Sequence, residues 1–464
     1  MNVHLALLVG YSVALVALGL WIARRVRSSA DFFVAGRALS APLLFSTVLA
    51  ANIGAGTTIG AAGVGYRDGI SAWWWNGAAA IGSLGLALVV GPRIWRIAST
   101  HNLYTAGDYL EWRYGRSVRG VIASLIWLGT LAILAGQLIG GAAILTVVAH
   151  LPREAGIVIS ALVMTIYFVA GGLLSSAWVN AVQLVVIVLG FAVAVPMVVG
   201  QVGGLPTIVA ASSAPAGFGD FWYSSGGRSG WTFLMLLGPA FVISPGLLQK
   251  AYGAANVRVL RVGIGGQAIA QTLFGLLPPL LGMAARVTNP HITDMNLVLP
   301  TVLLERLPVA IGALALAAVY SAEVSTCDAI LFMLATSLSQ DLYKRFLRPD
   351  ATDRQLLRVA RIAAVTGAVG GVVLALRLQT IVDALGIFYT LLGASLFVPV
   401  LGGLFVRRAA IPEAMAAIVA GVSAALASRF IAHPPIWWLD ASVTGLAASA
   451  TAFVAVLVAR RSKL

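Results

Sequence analysis

The chain has 464 residues, of which 60% are hydrophobic and only 10% charged, and its mean hydropathy is +0.95. Soluble domains carry about 25% charged residues, so a soluble globule is excluded. A transmembrane β-barrel is excluded too, because the apolar segments are continuous runs rather than alternating strands. The net charge of +14 lies in short segments between those runs. That placement sets membrane orientation and does not indicate nucleic-acid binding.

Runs long enough to cross a bilayer, about 20 residues each, follow one another from end to end. Thirteen spans are predicted: 3–23, 42–66, 71–97, 118–149, 155–174, 176–200, 229–250, 258–285, 301–339, 356–377, 380–405, 411–431 and 437–459. The first ends in "IARRVRSS" without a leading basic region or small-residue cleavage site, and is read as a retained span. The 301–339 run is longer than one crossing needs, so it either extends beyond the bilayer or is interrupted.

Within span 2, "AANIGAGTTIGAAGVG" (50–65) carries Gly54, Gly56, Gly60, Gly63 and Gly65, with Asn52, Thr57 and Thr58 as polar groups. Two readings follow. The helix breaks near the midplane, where freed backbone carbonyls take an ion, or Gly56 and Gly60 form a G-x-x-x-G packing pair. "WWW" at 73–75 is read as a set of interfacial anchors, with lining of an outer vestibule as the alternative. The amphipathic "NLYTAGDYLEWRYGRSVRG" (102–120) is expected to lie along the membrane surface. In span 6, Asn180 and Gln183 share a helix face at i, i+3, a spacing that suits interhelical hydrogen bonds. The longest stretch outside the spans is 201–228.

Span 9 carries "AAVYSAEVSTCDAILFMLATSLSQDLYKRF" (317–346). Ala322, Ser325 and Thr326 are spaced i, i+3, i+4 and share one face. Two hydroxyls beside an accessible carbonyl make a hard-oxygen site for a cation. Asp328 lies near the same side, and acids within a span are costly and usually functional. The alternative is that the hydroxyls bond back to their own helix and Asp328 pairs with a neighbouring span. The single Cys327 excludes an intramolecular disulfide.

Orientation follows from charge. Of the 30 Lys and Arg residues, only Arg67, Arg153, Arg228, Arg286, Arg306, Arg377 and Arg429 fall on one side of the thirteen-span array. The positive-inside rule then puts the N-terminus outside and the C-terminus in the cytoplasm, in the cell's inner (plasma) membrane.

Taken together, "DFFVAGRALS", "AANIGAGTTIG", "TAGDYLEWRYG", "GGLLSSAWVNAVQ", "PGLLQKAYGA" and "SAEVSTCDAILFMLATSLSQDLYKRF" occur in an order that resembles the sodium:solute symporter family. The resemblance implies an all-α fold of the LeuT type, with two inverted five-helix repeats over 42–200 and 229–406. Residues 1–41 and 407–464 would be additions. It implies a second broken helix at "GPAFVISPG" (238–246). It also implies one Na+ site, formed by the carbonyls of Ala50, Ile53 and Ala322 and the hydroxyls of Ser325 and Thr326. Many relatives carry Asp where this chain has Asn180, and some use it for a further sodium. Asn180 therefore favours one Na+ per cycle, with Gln183 and Asp328 in the surrounding network. Asn52, Thr57 and Asn76 are the candidate solute contacts. Thr57 and Asn76 match sugar-contacting positions of the galactose-type relatives but differ in residue type. A small organic acid, amino acid or vitamin-like anion is therefore expected in preference to a sugar.

The expected function is Na+-coupled symport of a small solute across a lipid bilayer, without nucleic acid or an obligate protein partner. The alternatives are proton coupling through Asp328 or Glu323, and a solute sensor or channel on the same fold. An enzyme is disfavoured, since neither H-E-x-x-H nor G-x-S-x-G occurs.

Overall fold

In a bilayer every backbone N–H and C=O has to be satisfied within the protein, and long apolar runs do this as helices. The computed structural model describes residues 3–23, 37–169, 172–211, 213–222, 230–429 and 440–461. Arg24, Arg25, Arg27, Arg228, residues 31–36 of "DFFVAGRALS" and the tail from 462 lie outside the described residues.

The first half of the chain forms α1 (Val3–Ala23), α2 (Ala41–Asn52), α3 (Ala61–Asp68), α4 (Trp73–Gly85), α5 (Gly91–Thr100), α6 (Ala106–Tyr114), α7 (Arg116–Ala149), α8 (Arg153–Val169), α9 (Gly172–Gln201) and α10 (Gly204–Ala210). The second half forms α11 (Gly230–Val242), α12 (Pro245–Tyr252), α13 (Val257–Phe274), α14 (Leu277–Thr288), α15 (Val298–Arg306), α16 (Val309–Thr336), α17 (Asp353–Ala375), α18 (Ile381–Leu392), α19 (Val398–Phe405), α20 (Ile411–Arg429) and α21 (Ala441–Arg461). Wider π-helical turns at Gly56–Gly60, Leu86–Val90, Ser337–Leu347 and Gly393–Phe397 link neighbouring pieces.

Helices α7 and α16 are the innermost. Against them pack α18 on α7 and α9 on α16, while α2 lies on α13, α3 on α14 and α4 on α11. Helices α20 and α21 pair with each other at the periphery. Large apolar side chains such as Leu128, Ile166, Leu273 and Val369 are exposed, as expected of faces that meet lipid.

The long 301–339 run is interrupted. Helix α15 ends at Arg306, and Pro308 starts α16, which continues as a π-helix to Leu347. The 258–285 run bends between α13 and α14, at Gly275 and Leu276. Spans 2 and 3 part at Gly69, whose φ of +78° and close approach to the Phe218 carbonyl leave no room for a side chain.

The three tryptophans are not interfacial anchors. Trp74 and Trp75 are buried, Trp73 Nε1 donates to Thr272 O (3.0 Å), and Trp74 Nε1 donates to Phe221 O (2.9 Å). The indole N–H groups of Trp73 and Trp74 find carbonyl partners in the protein, which permits burial. The surface helix is also more buried than its charge pattern implied. Tyr109, Leu110 and Tyr114 of α6 are buried, and Trp112 is left exposed.

Candidate functional site

Two helices are broken near the centre of the bundle. The first break separates α2 from the π-turn at Gly56. Helix α2 ends at Ile53 (φ −92°, ψ 89°), and residues 53–55 are not helical. Groups freed by the break are met by side chains. Ala55 N donates to Gln137 Oε1 (2.9 Å), Thr57 Oγ1 to Asn52 O (2.6 Å), and Thr58 Oγ1 to Gly54 O (2.8 Å). This explains the Asn and Thr residues in the stretch: buried backbone groups without helical partners need local ones. The glycines act in packing as well. A Cβ on Gly54 would lie 2.5 Å from Thr326 Oγ1 and 2.7 Å from Gln137 Oε1, and one on Gly56 would collide with Leu385. The glycines therefore serve both the helix break and close packing.

Against this break lies the hydroxyl pair of α16. Ser325 Oγ donates to Ala50 O (2.8 Å) and lies 3.1 Å from Ala322 O. Thr326 Oγ1 donates to Ala51 O (2.9 Å), with Ala50 O at 3.5 Å. The fold thus brings Ala50, Ala322, Ser325 and Thr326 together, and all are buried. Ala51, rather than Ile53, supplies the carbonyl that meets Thr326. A cluster of neutral oxygens can take a small monovalent cation: the hydroxyls rotate their protons outward and turn lone pairs to the ion.

The second break falls between α11 and α12, at Ile243 and Ser244, where Pro239 and Pro245 flank it. Helix α12 carries Lys250, which is buried. Its Nζ donates to Thr47 O (2.7 Å) and Thr47 Oγ1 (3.2 Å). Asn180 Nδ2 donates to the same Thr47 Oγ1 (3.3 Å). Asn180 therefore joins one network with Lys250 through Thr47, and buried Asp328 lies on α16. Gln183 is buried nearby in sequence, and its amide has no partner among the described residues.

Between the two breaks lies a cavity of about 60 Å³, lined by Asn52, Thr57, Gln137, Ser244, Lys250 and Tyr389 with apolar side chains between them. Asn52 Nδ2 donates to Gln271 Oε1 (3.3 Å). Asn76 does not line this cavity. It is buried behind it, with Nδ2 donating to Thr57 O (3.2 Å) and Gly275 O (3.4 Å), and so braces the first break. Glu323 is fully buried against Gly140, with the Thr58 side chain beside its carboxyl.

Gln137, Lys250, Thr47 and Gln271 were not singled out by the sequence reading. The available signal was a lone amide in "AILAGQLIG" and a cation in a Pro-broken helix.

The model of the sodium:solute symporter family matches residues 32–421. The chain is 26% identical to the sodium/glucose cotransporter of Vibrio parahaemolyticus, over 91% of this chain and 84% of that protein. It is 27% identical to the sodium/pantothenate symporter of Escherichia coli (strain K12), over 92% of each. Among solved structures, a Na+-coupled sialic acid symporter in a substrate-bound outward-open state superposes with a TM-score of 0.84 at 18% identity, covering 99% of this chain and 98% of the other. The closed conformation of MHP1, a nucleobase-cation-symport-1 family transporter, superposes with a TM-score of 0.60 at 15% identity, covering 94% and 96%. At these identities the structural likeness establishes the fold, which is that of LeuT-type transporters.

Proposed function

The chain belongs to the sodium:solute symporter family, and from that premise we propose that it carries a small anionic organic solute into the cell together with one Na+. The chain is a membrane transporter, not an enzyme, and its substrates are Na+ and a solute. The observation that carries the Na+ reading is the meeting of Ser325 and Thr326 with the Ala50 and Ala51 carbonyls at a helix break. Ala50, Ala322, Ser325 and Thr326 are the proposed ligands, with Ala51 or Ile53 completing the set.

Relatives named for glucose and for pantothenate are about equally similar, so they leave the solute class open. Lys250 favours an anion. Its bonds to Thr47 use two of three ammonium protons, and the third is available to the cavity that it lines. Asn52, Thr57 and Gln137 would orient the rest of the solute. The same ammonium supports one Na+ per cycle, because a positive charge beside Asn180 repels a second cation. A second reading, proton coupling through Glu323 or Asp328, draws on the full burial of the Glu323 carboxyl within the bundle.

We further propose thirteen crossings, with the two breaks in corresponding positions of inverted repeats. Ten helical stretches among the described residues are long and apolar enough to cross a bilayer. Gly56–Thr100 is one of these although it turns at Gly69, and α1 and α8, of 21 and 17 residues, make up the remaining two crossings. The N-terminus is assigned outside. Reporters fused at residue 464 and within 201–228 should report opposite sides, and agreement between them would remove this topology.

The solute is best sought by thermal shift of the purified protein against a metabolite library, with and without NaCl. A transported solute stabilises by mass action, and more so when Na+ is present. Stabilisation by an anion that is indifferent to Na+ but rises with acidity would favour the proton reading.

A further inference from the structure

Far from the midplane, on the arginine-rich face, lies a second cavity of about 310 Å³. It is formed by the turn at 101–104, the start of α7 and the π-helical segment Ser337–Leu347. Arg119, Lys344, Arg345 and His101 line it, with Asp108 among them. Buried Arg119 is held by Asp108 (2.7 Å), Glu111 (2.8 Å) and Asp341 (2.8 Å), and Arg345 pairs with Glu111. Burial pushes the Glu111 carboxyl up, but Arg119 and Arg345 more than offset this and hold it below the usual carboxylate range.

These ion pairs leave donors over. The buried Nε–H groups of Arg119 and Arg345 have no acceptor among the described residues, and Lys344 is in no ion pair there. Buried donors without acceptors are rare, and they mark a missing partner. Arg116 and Arg348 stand close in the chain, and Arg116 donates to Arg345 O (2.7 Å). Arg116, Arg119, Lys344 and Arg345 therefore outnumber Asp108, Glu111 and Asp341 in and beside the cavity. The missing partner is an anion with several acceptor oxygens.

We propose that this cavity binds a phosphate group, supplied by the headgroup of an anionic phospholipid in the adjoining leaflet. The flanking surface decides for a lipid over a free ion. Trp112, Phe346 and Leu347 are exposed. Trp112 packs on His101 at 5.1 Å between ring centroids, and Phe346 lies under Arg116 at 5.4 Å. Exposed aromatic and apolar side chains beside cations are what the headgroup level of a bilayer accommodates. Basic pockets between transmembrane helices bind headgroups in this way. The bound phosphate would bridge α7, which carries Gln137, to the end of the helix that carries Ser325 and Thr326. The site would thus tie lipid composition to the two elements that frame the central cavity.

The test uses the full chain in nanodiscs of phosphatidylcholine, of phosphatidylcholine with phosphatidylglycerol, and of phosphatidylcholine with inorganic phosphate added. Melting temperature and lipid retention in native mass spectrometry are read. Phosphatidylglycerol should be retained and should raise the melting temperature. Lys344→Gln should weaken that retention roughly fivefold, the worth of one cation at an anionic surface. Lys344→Arg should keep it, and Arg361→Gln, on the same face but outside the cavity, should not change it. Excess inorganic phosphate should displace the lipid from the unaltered protein, which reads the site without any substitution. Equal stabilisation by inorganic phosphate alone would overturn the lipid source. Retention unaffected both by Lys344→Gln and by phosphate competition would overturn the site.

Discussion

The two helix breaks do the same mechanical work with opposite chemistry. The first is built from Gly54 and Gly56 with Asn52, Thr57 and Thr58, and it leaves carbonyl oxygens facing α16. The second is built from Pro239 and Pro245 and is followed by Lys250, a donor. Glycine lets the backbone come close enough to offer acceptors, whereas proline interrupts the ladder without such an approach. An acceptor-rich break suits a cation, and a donor-rich one suits an anion. Each prediction below tests whether this division is real.

The largest effect is expected at Gly54. A Cβ there would lie 2.5 Å from Thr326 Oγ1 and 2.7 Å from Thr326 Cβ, so Gly54→Ala pushes the two halves of the ion site apart. It should abolish Na+-driven uptake in proteoliposomes and cost about 1–3 kcal/mol of stability from overpacking. At the second break Pro245→Ala adds an N–H at the first helical position, where helices tolerate either residue, and should leave transport measurable. Gly10→Ala, which has nothing within 4 Å, serves as the control. Comparable losses at Gly54 and Pro245 would show that the breaks are mechanically alike.

Next come the hydroxyls. Ser325→Ala or Thr326→Ala removes one oxygen with little change in volume. A lost bond to a charged group costs about 1.5–3 kcal/mol, taken here as a proxy for a lost ligand. The half-saturating Na+ concentration should then rise roughly ten- to a hundredfold. Uptake against Na+ concentration measures this, with melting temperature as the folding control. Wild-type Na+ affinity in both variants would make the hydroxyls packing groups and favour proton coupling.

Lys250→Met should act on the other ligand. Na+-induced stabilisation without solute should persist, while the apparent affinity for an anionic solute falls about tenfold, the loss of one charged hydrogen bond. Loss of both together would mean that Lys250 only holds Thr47 in place.

Some of this division was legible in the sequence. The helices follow from run length, and the Ala322, Ser325 and Thr326 face follows from 3.6-residue periodicity, which needs no tertiary partner. The partners were less legible. Gln137 reaches Ala55 across 82 positions, and Lys250 reaches Thr47 across 203. A lone amide in an apolar run and a cation in a Pro-broken helix mark these residues locally, but not the partners they meet. Ile53 enters the ligand set by family motif, and the helix ends there, while the Ala51 carbonyl that meets Thr326 carries no mark in the sequence. The tryptophans misled because interfacial and buried indoles look alike in sequence.

The smallest effect, and the finest test, concerns Asn180. In the native chain Na+ dependence of uptake should show a Hill coefficient near 1, as one site gives. Asn180→Asp alone should not raise it. The new carboxylate would sit beside Lys250, since both side chains meet at Thr47 Oγ1, and would pair with the ammonium rather than recruit an ion. It would also lose the amide donor to Thr47, so a modest fall in stability is expected. Combining Asn180→Asp with Lys250→Met leaves a buried carboxylate without its fixed counter-charge. Such a group is costly unless a cation joins it. In that double variant the Hill coefficient should climb towards 2, provided the protein folds as judged by its melting temperature. A coefficient near 2 in the native chain would refute the single site. A coefficient that stays near 1 in a folded double variant would show that something other than the Lys250 charge excludes the second ion.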